Sequence, residues 1–354
     1  MRANGHFICY QRERFSKVEV EQFTSPIPCM PLHIVPPDVS RRRFISSLIT
    51  AASAAGVGFF DDVKRLHAQE SLEDDAEAWA LLSDTHIAAD PLTNARGINM
   101  ADHLRQAVGE LLDSHKRLPF AGAMINGDCA FLDGQSEDYR TLGTLIEPVF
   151  ANGVPLHVTL GNHDERTRIQ AGLEKVFGSA ARNAAAAKAV HPAQLQEKVA
   201  SRVRGRFCDW YLLDSLEFTN KTPGRVGEAQ IAWLDESLKA EPNRPALVMV
   251  HHNPHPISPA KSSGLTDTNA LLPVLLERRQ VKALFFGHTH VAAKFEIDGL
   301  HFVNLPACAY RFATEQPTGW TSALIGPSGC KLTIFDTNKA HALHAKETRL
   351  KWRS

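Results

Sequence analysis

Two histidines, His288 and His290, follow the apolar run "ALFFG" with one residue between them. At a spacing of two, both imidazoles can leave the same side of an extended segment. Taken alone, such a pair suits a polar surface loop as well as a ligand site. The same ending recurs four more times. "AWALLSDTH" closes on Asp84 and His86, "FAGAMINGD" on Asp128, "PLHVTLGNHD" on Asn162, His163 and Asp164, and "PALVMVHHN" on His251 and His252. Carboxylates, imidazoles and one carboxamide, with no thiolate, are a donor set for divalent or trivalent Mn, Fe, Co or Zn. There are too many donors for one ion. Two ions about 3.5–4 Å apart, sharing a carboxylate, would use them together; their joint chemistry is to bind a hydroxide and to neutralise phosphoryl oxygens as charge develops.

These residues can meet only if the chain positions five strand ends together. Each of the five runs has strand length and stops abruptly in polar residues, often through glycine. In α/β sheets, ligands collect outside the carboxyl ends of the strands, so five such ends in one sheet or in two facing sheets can share a crevice. Helical patterns separate them. Residues 100–117 put Leu104, Ala107, Val108, Leu111 and Leu112 on one face behind Asn99 as N-cap, and residues 228–239 do the same with Ile231, Leu234 and Leu238. The Ala-rich, basic stretch 167–206 predicts a helical insertion near the site. After residue 290 the pattern alternates around Asp298-Gly299, a hairpin signal. "TSALI" and "CKLTIF" continue as strands. The expectation is a mixed α/β domain with a mostly β C-terminal part packed on it.

The whole chain sets limits on this reading. It has 354 residues, 44% of them hydrophobic and 22% charged, as in an ordinary globular protein. Lys+Arg and Asp+Glu both number 39, so no basic excess points to nucleic acid. Six scattered cysteines without a CxxC give neither a zinc ribbon nor a disulfide framework. "SRRRFISSLITAASAAGVGFF" (40–60) places three arginines before an uncharged, mildly apolar stretch. That stretch is too short and too rich in Ala, Ser and Gly for a stable membrane span. It reads as an export leader, and Ser40 to Ile45 is similar to the twin-arginine pattern. The expected organisation is therefore an N-terminal extension over 1–39, disordered or upstream of a start at Met30, then a leader over 40–68. An acidic linker (69–75), the main domain (76–340) and a C-terminal tail (341–354) follow. The first 75 residues are expected to add little to the core. The location implied is periplasmic or extracellular, with the twin-arginine machinery as a partner.

In order, Asp84-Thr85-His86, Gly127-Asp128, Gly161-Asn162-His163-Asp164, His251 and Gly287-His288-Thr289-His290 resemble the motifs of the calcineurin-like metallophosphoesterases. The resemblance covers roughly residues 76–335 and implies a four-layer α/β/β/α sandwich around a dinuclear metal site. It implies that Asp84, His86, Asp128 and His290 hold one ion. Asp128, Asn162, His251 and His288 would hold the other, with Asp128 bridging. His163 would face the leaving group as a general acid oriented by Asp164. His252, one residue beyond His251, is left a supporting or substrate-facing role. "GDCAFLDGQSEDYRTL" and "GRVGEAQIAWLDESL" are similar to the branch that holds class III cyclic-nucleotide and glycerophosphodiester phosphodiesterases. Purple acid phosphatases carry tyrosine three residues after the bridging aspartate; Phe131 stands there instead, so a purple iron site is not expected. Cys129, beside the bridge, reads as packed away from it.

The expected activity is hydrolysis of a small phosphodiester, with a metal-bridged hydroxide attacking phosphorus. The alternatives are a phosphomonoesterase or pyrophosphatase on the same site, or a metal-stabilised binding scaffold without turnover. Discrimination among substrates is expected to lie in loops 90–100, 167–206 and 254–268.

Overall fold

The computed structural model describes residues 32–36, 75–181, 187–189, 195, 197–254 and 263–354. A first sheet has the order β1 (Leu32–Ile34), β6 (Leu156–Thr159), β5 (Phe120–Asn126), β2 (Glu77–Ser83), β14 (Gly319–Gly326), β15 (Gly329–Asp336) and β16 (Glu347–Lys351). A second has the order β12 (Ala293–Ile297), β13 (Leu300–Asn304), β11 (Val281–Phe286), β10 (Ala246–Met249), β9 (Asp209–Leu212), β8 (Ser201–Arg204) and β7 (Ala187–Ala189). The centres of both sheets are parallel: β2, β5 and β6 in one, β9, β10, β11 and β13 in the other. Their carboxyl ends therefore open at a common edge. A small hairpin, β3 (Asn94–Ala95) and β4 (Ile98–Asn99), stands apart.

Alternation along the strands builds the layers. On β2, Trp79 and Leu81 face the other sheet and pack with Met124, Trp210, Met249 and Phe285; the rings of Trp79 and Trp210 are 5.8 Å apart. Ala78, Ala80 and Leu82 face outward, into a layer of helices: α1 (Met100–Arg117), α2 (Ser136–Ala151) and α3 (Arg166–Phe177). The outer face of the second sheet packs on α4 (Glu228–Ala240) and α5 (Thr268–Glu277) through Ile231, Leu234, Leu271 and Leu275. This is the expected four-layer α/β/β/α sandwich. The Asn99 side chain accepts the Asp102 amide and starts α1 where the sequence places it. Asp298 and Gly299, both with positive φ, close the β12–β13 hairpin.

Three boundaries differ from expectation. Residues 167–206 are not one helical insertion: α3 ends at Phe177, a 3-10 turn follows, and β7 and β8 extend the second sheet. The basic residues that suggested a helix face serve the sheet instead, with Arg202 bridging Asp209 and Glu241. The N-terminal 75 residues are not wholly outside the core. Leu32, His33 and Ile34 form β1, buried against β6 in the register Leu32↔Val158. Three residues between prolines are too few to display a period. Residues 341–354 are not a free tail, since β16 pairs with β15 and the Arg353 guanidinium donates to the carbonyls of Leu275 and Val281. Mostly polar composition disguised that strand. The leader (40–68) lies outside the described residues. Among the described residues, no helix is long and apolar enough to cross a membrane.

Candidate metal centre

β2, β5 and β6 deliver Asp84, His86, Asp128, Asn162 and His163 from one sheet; β10 and β11 deliver His251, His288 and His290 from the other. The turns after these strands lock together through the backbone. The amide of Asp84 donates to the Gly127 carbonyl, that of His86 to the Asp128 carbonyl, and that of Gly287 to the His251 carbonyl. Such close approach requires glycine. A Cβ on Gly161 would lie 2.2 Å from Asp128 Oδ1, and one on Gly287 would lie 2.1 Å from Ser83 Oγ. Asp84, His86, Asp128, His288 and His290 all adopt positive φ, between 46° and 69°. Left-handed backbone at non-glycine residues costs about 1–3 kcal/mol each and persists where surrounding structure enforces it, typically at functional sites.

Asp128 Oδ2 lies 3.3 Å from His251 Nε2 and 3.7 Å from His86 Nε2, so one carboxylate oxygen faces both halves of the site. Asp84, His86 and His290 form one cluster of donor atoms; Asp128, His251 and His288 form a second; His86, Asp128 and His163 also lie together. Asn162 is buried with its Oδ1 unpartnered, and it lines the same pocket as Asp128 and His288. The ring nitrogens are prearranged. His251 Nδ1 donates to the Asn126 carbonyl and His290 Nδ1 to the Tyr310 carbonyl, which directs both Nε2 atoms inward.

The electrostatics follow from burial and proximity. Burial pushes the Asp84 carboxyl up, but the imidazoles of His251 and His290 outweigh it and bring it down to about 2. Asp128 is likewise held well below the carboxylate range, with burial opposed by His251 and His86. Burial lowers His251, yet Asp128 and Asp84 carry it up to about 10. Burial brings His86 down to about 4, and burial together with His251 does the same to His288. The site thus keeps its carboxylates ionised, with His251 as their cationic partner and His86 and His288 neutral.

A match to the calcineurin-like phosphoesterase profile over residues 80–292 spans more than half of the chain. The chain belongs to this family. Among relatives, a 3',5'-cyclic-nucleotide phosphodiesterase of Nostoc is 24% identical over 68% of this phosphoesterase and 81% of its own length. A 3',5'-cyclic adenosine monophosphate phosphodiesterase of Escherichia coli K12 is 26% identical over 65% and 76% respectively. In fold, a dimetal phosphatase of Danio rerio superposes with a TM-score of 0.59, at 16% identity, over 79% of this chain and all of that one.

The family implies divalent metal ions, and the residues of this phosphoesterase fit them. His86 Nε2 and His290 Nε2 face each other at 3.1 Å. With Nδ1 of His290 protonated, its Nε2 lone pair points to this position, where His86 and His290 would both hold an ion. Asn162 Oδ1 is buried without a partner, which costs about 1–3 kcal/mol unless something binds it.

The other expected residues are placed as follows. His163 is partly exposed at the pocket wall, with its Nδ1 donating to the Leu132 carbonyl. Asp164 does not orient it. The Asp164 carboxylate is buried and accepts from the amides of Cys129, Ala130 and Gly161 and from the Tyr139 hydroxyl. It clamps two turns together. Burial, aided by Asp128, pushes it up to about 6. His252 bonds Ser215 Oγ through Nδ1 and wedges against Gly224, outside both ligand clusters. Cys129 is fully buried, as expected.

Two site residues were missed. Tyr310 stacks on His86, at 5.0 Å and 24°, and Phe312 stacks on His290, at 4.3 Å and 20°. Both follow β13, which runs parallel to β11 and ends at the same edge. "HFVNLP" was therefore a sixth ligand-side strand end, masked by the hairpin signal before it.

Proposed function

We propose that this phosphoesterase is a two-metal phosphodiesterase acting on cyclic nucleotides or similarly small phosphodiesters. The observation that carries the reading is Asp128 Oδ2, which faces His86 on one side and His251 on the other. Asp84, His86, Asp128 and His290 would hold one ion, and Asp128, Asn162, His251 and His288 the other. When bound, the ions supply an activated water and positive charge for the phosphoryl oxygens. The N/O donor set suits Mn, Fe, Zn or Co.

The chain's own residues do the rest. The carbonyls of Asn126 and Tyr310 fix two imidazoles in the tautomer that leaves Nε2 available. The His163 amide donates to Asp128 Oδ1, so the loop that brings the acid also aims the shared carboxylate. His163, with Nδ1–H held by Leu132, has Nε2 to carry a proton to the departing alkoxide. The names of the Nostoc and Escherichia coli relatives support a cyclic diester as substrate. The leader-like stretch at 40–68 supports export by the twin-arginine route, where a folded protein can cross with its metals loaded.

Turnover of 3',5'-cyclic AMP and bis-p-nitrophenyl phosphate, set against p-nitrophenyl phosphate, tests the reading. Faster hydrolysis of the diesters is expected. A clear preference for the monoester would replace it with a phosphomonoesterase.

A further inference from the structure

A second cavity, of about 350 Å³, adjoins the metal pocket and shares Tyr310 and Phe312 with it as a common wall. Its remaining lining includes Arg96, His103, Arg311, Thr314, Thr337 and Asn338, and no carboxylate. It is rich in donors. The His103 Nδ1–H donates to the Ala309 carbonyl, which leaves its Nε2 as an acceptor, whereas the side-chain oxygen of Asn338 is occupied by the Ala340 amide, which leaves its NH₂ group as a donor.

Arg96 is the unusual member. It sits with Gly97 in the two-residue turn between β3 and β4, and both have positive φ, 51° and 77°. Turns of this kind favour Asn-Gly, because a left-handed L residue is disfavoured. Arginine occupies that position here instead. That side chain is exposed and makes no ion pair or hydrogen bond among the described residues. Instead its guanidinium carbon lies 4.6 Å from the Phe312 ring centre and 5.7 Å from that of Tyr310. A guanidinium stacked on a ring keeps its N–H edges free for a planar or tetrahedral oxyanion. Phe312 in turn stacks on His290. A continuous column therefore runs from a metal ligand, through one aromatic ring, to an unpaired cation.

We propose that this cavity is a phosphoryl-binding subsite built on Arg96, which takes a second phosphate of the substrate while the reacting phosphodiester occupies the metal centre. The assignment rests on the phosphodiesterase reading above. A phosphate matches the Arg96 fork and the NH₂ group of Asn338.

The test compares two p-nitrophenyl phosphodiesters that are identical except for a phosphate on the non-leaving alcohol. The wild-type protein should prefer the phosphate-bearing ester in kcat/KM by about 10–100-fold, the worth of a charged hydrogen bond. Arg96→Asn should bring that ratio towards one without lowering Tm, because asparagine suits the turn. Calorimetric binding of a nucleoside 3',5'-bisphosphate against the 5'-monophosphate reads the same preference without turnover, so an inactive preparation would count against the phosphodiesterase reading and not against the subsite. Equal use of both esters and equal binding of both nucleotides by the wild type would overturn the proposal. So would an unchanged ratio in Arg96→Asn with a lowered Tm, which would make Arg96 a brace for the Phe312 loop. Inhibition by inorganic phosphate that vanishes in Arg96→Asn, with no preference between the esters, would also overturn it in favour of a free-anion site.

Discussion

His163 Nδ1 lies 2.6 Å from the carbonyl oxygen of Leu132. A carbonyl only accepts, so Nδ1 carries the proton in this contact, and Nε2 is the nitrogen turned to the pocket side for proton transfer. Leu132 holds the ring in this tautomer, and the Asp164 carboxylate turns the other way, to the Cys129, Ala130 and Gly161 amides. His163→Ala should therefore keep both metal ions and lose about 10²–10⁴-fold on alkyl diesters, the usual worth of general acid catalysis. The loss should be much smaller on p-nitrophenyl esters, whose leaving group needs little protonation. Equal losses on the two classes, or the loss of an ion in the variant, would assign His163 to metal binding or loop support.

Asp164 predicts a different phenotype. Asp164→Ala leaves the buried amides of Cys129, Ala130 and Gly161 without their acceptor and frees the Tyr139 hydroxyl. At about 1–3 kcal/mol for each buried group left unsatisfied, the variant should lose several kcal/mol of stability. Asp164→Asn, which retains an acceptor, should lose less. Urea unfolding of the two variants checks this, and equal midpoints with the wild type would contradict the clamp.

The N-terminal strand should respond to pH. His33 Nδ1 and His157 Nδ1 are 2.8 Å apart in a buried contact, with one donating and the other accepting, so the accepting nitrogen has no room for a proton and a charge on either ring would be buried. Burial lowers His33 from 6.5 to about 4. Burial and the neighbouring ring hold His157 well below its ordinary value as well. A detached strand binds protons below pH 6.5, whereas the docked strand does not until about 4. Docking is thus fully favourable above 6.5 and weakens as pH falls towards 4. Hydrogen-exchange protection of the Leu32 and Ile34 amides, on either side of His33, should drop between neutral pH and about pH 5, beyond the change in intrinsic rate. Unchanged protection would contradict the coupling.

The proposed export depends on the arginine pair ahead of the apolar stretch. Replacing Arg41 and Arg42 with lysine should retain the protein in the cytoplasm, since the twin-arginine pathway reads the guanidinium pair. Because β1 precedes this stretch in the chain and buries Leu32 and Ile34 against β6, we expect the exported form to keep residues 32–34. Fractionation followed by mass spectrometry checks both. Unimpaired export of the lysine variant, or an exported chain that begins after Ala68, would contradict the respective expectation.

Most of the ligand set could be read from the sequence because the strand ends repeat one rule: an apolar run, then Asp, Asn or His. That rule carries Asp84, His86, Asp128, Asn162, His251, His288 and His290 to one edge of the fold. What stayed hidden depends on backbone geometry and on contacts between distant segments. The positive φ of His86 or His288 leaves no mark on residue type, and Arg96-Gly97 is a hairpin turn without the usual Asn-Gly signature. Asp164 was paired with His163 by the family resemblance, yet adjacent side chains at a strand end diverge, and Asp164 faces the turn after β5. Tyr310 and Phe312 became site residues only when β13 took its place beside β11. β1 and β16 were too short or too polar to show a period.

The most direct measurement is hydrolysis of 3',5'-cyclic AMP by chelator-stripped protein resupplied with manganese, with bound metal counted by elemental analysis, in the wild type and in Asp128→Asn. The wild type should be inactive when stripped, and should regain activity as it takes up two ions per chain. Asp128→Asn should bind both ions poorly, because a neutral amide bridges two cations less well than a carboxylate. Hydrolysis in the stripped wild type, or two tightly held ions and full turnover in Asp128→Asn, would contradict a two-metal site bridged by Asp128.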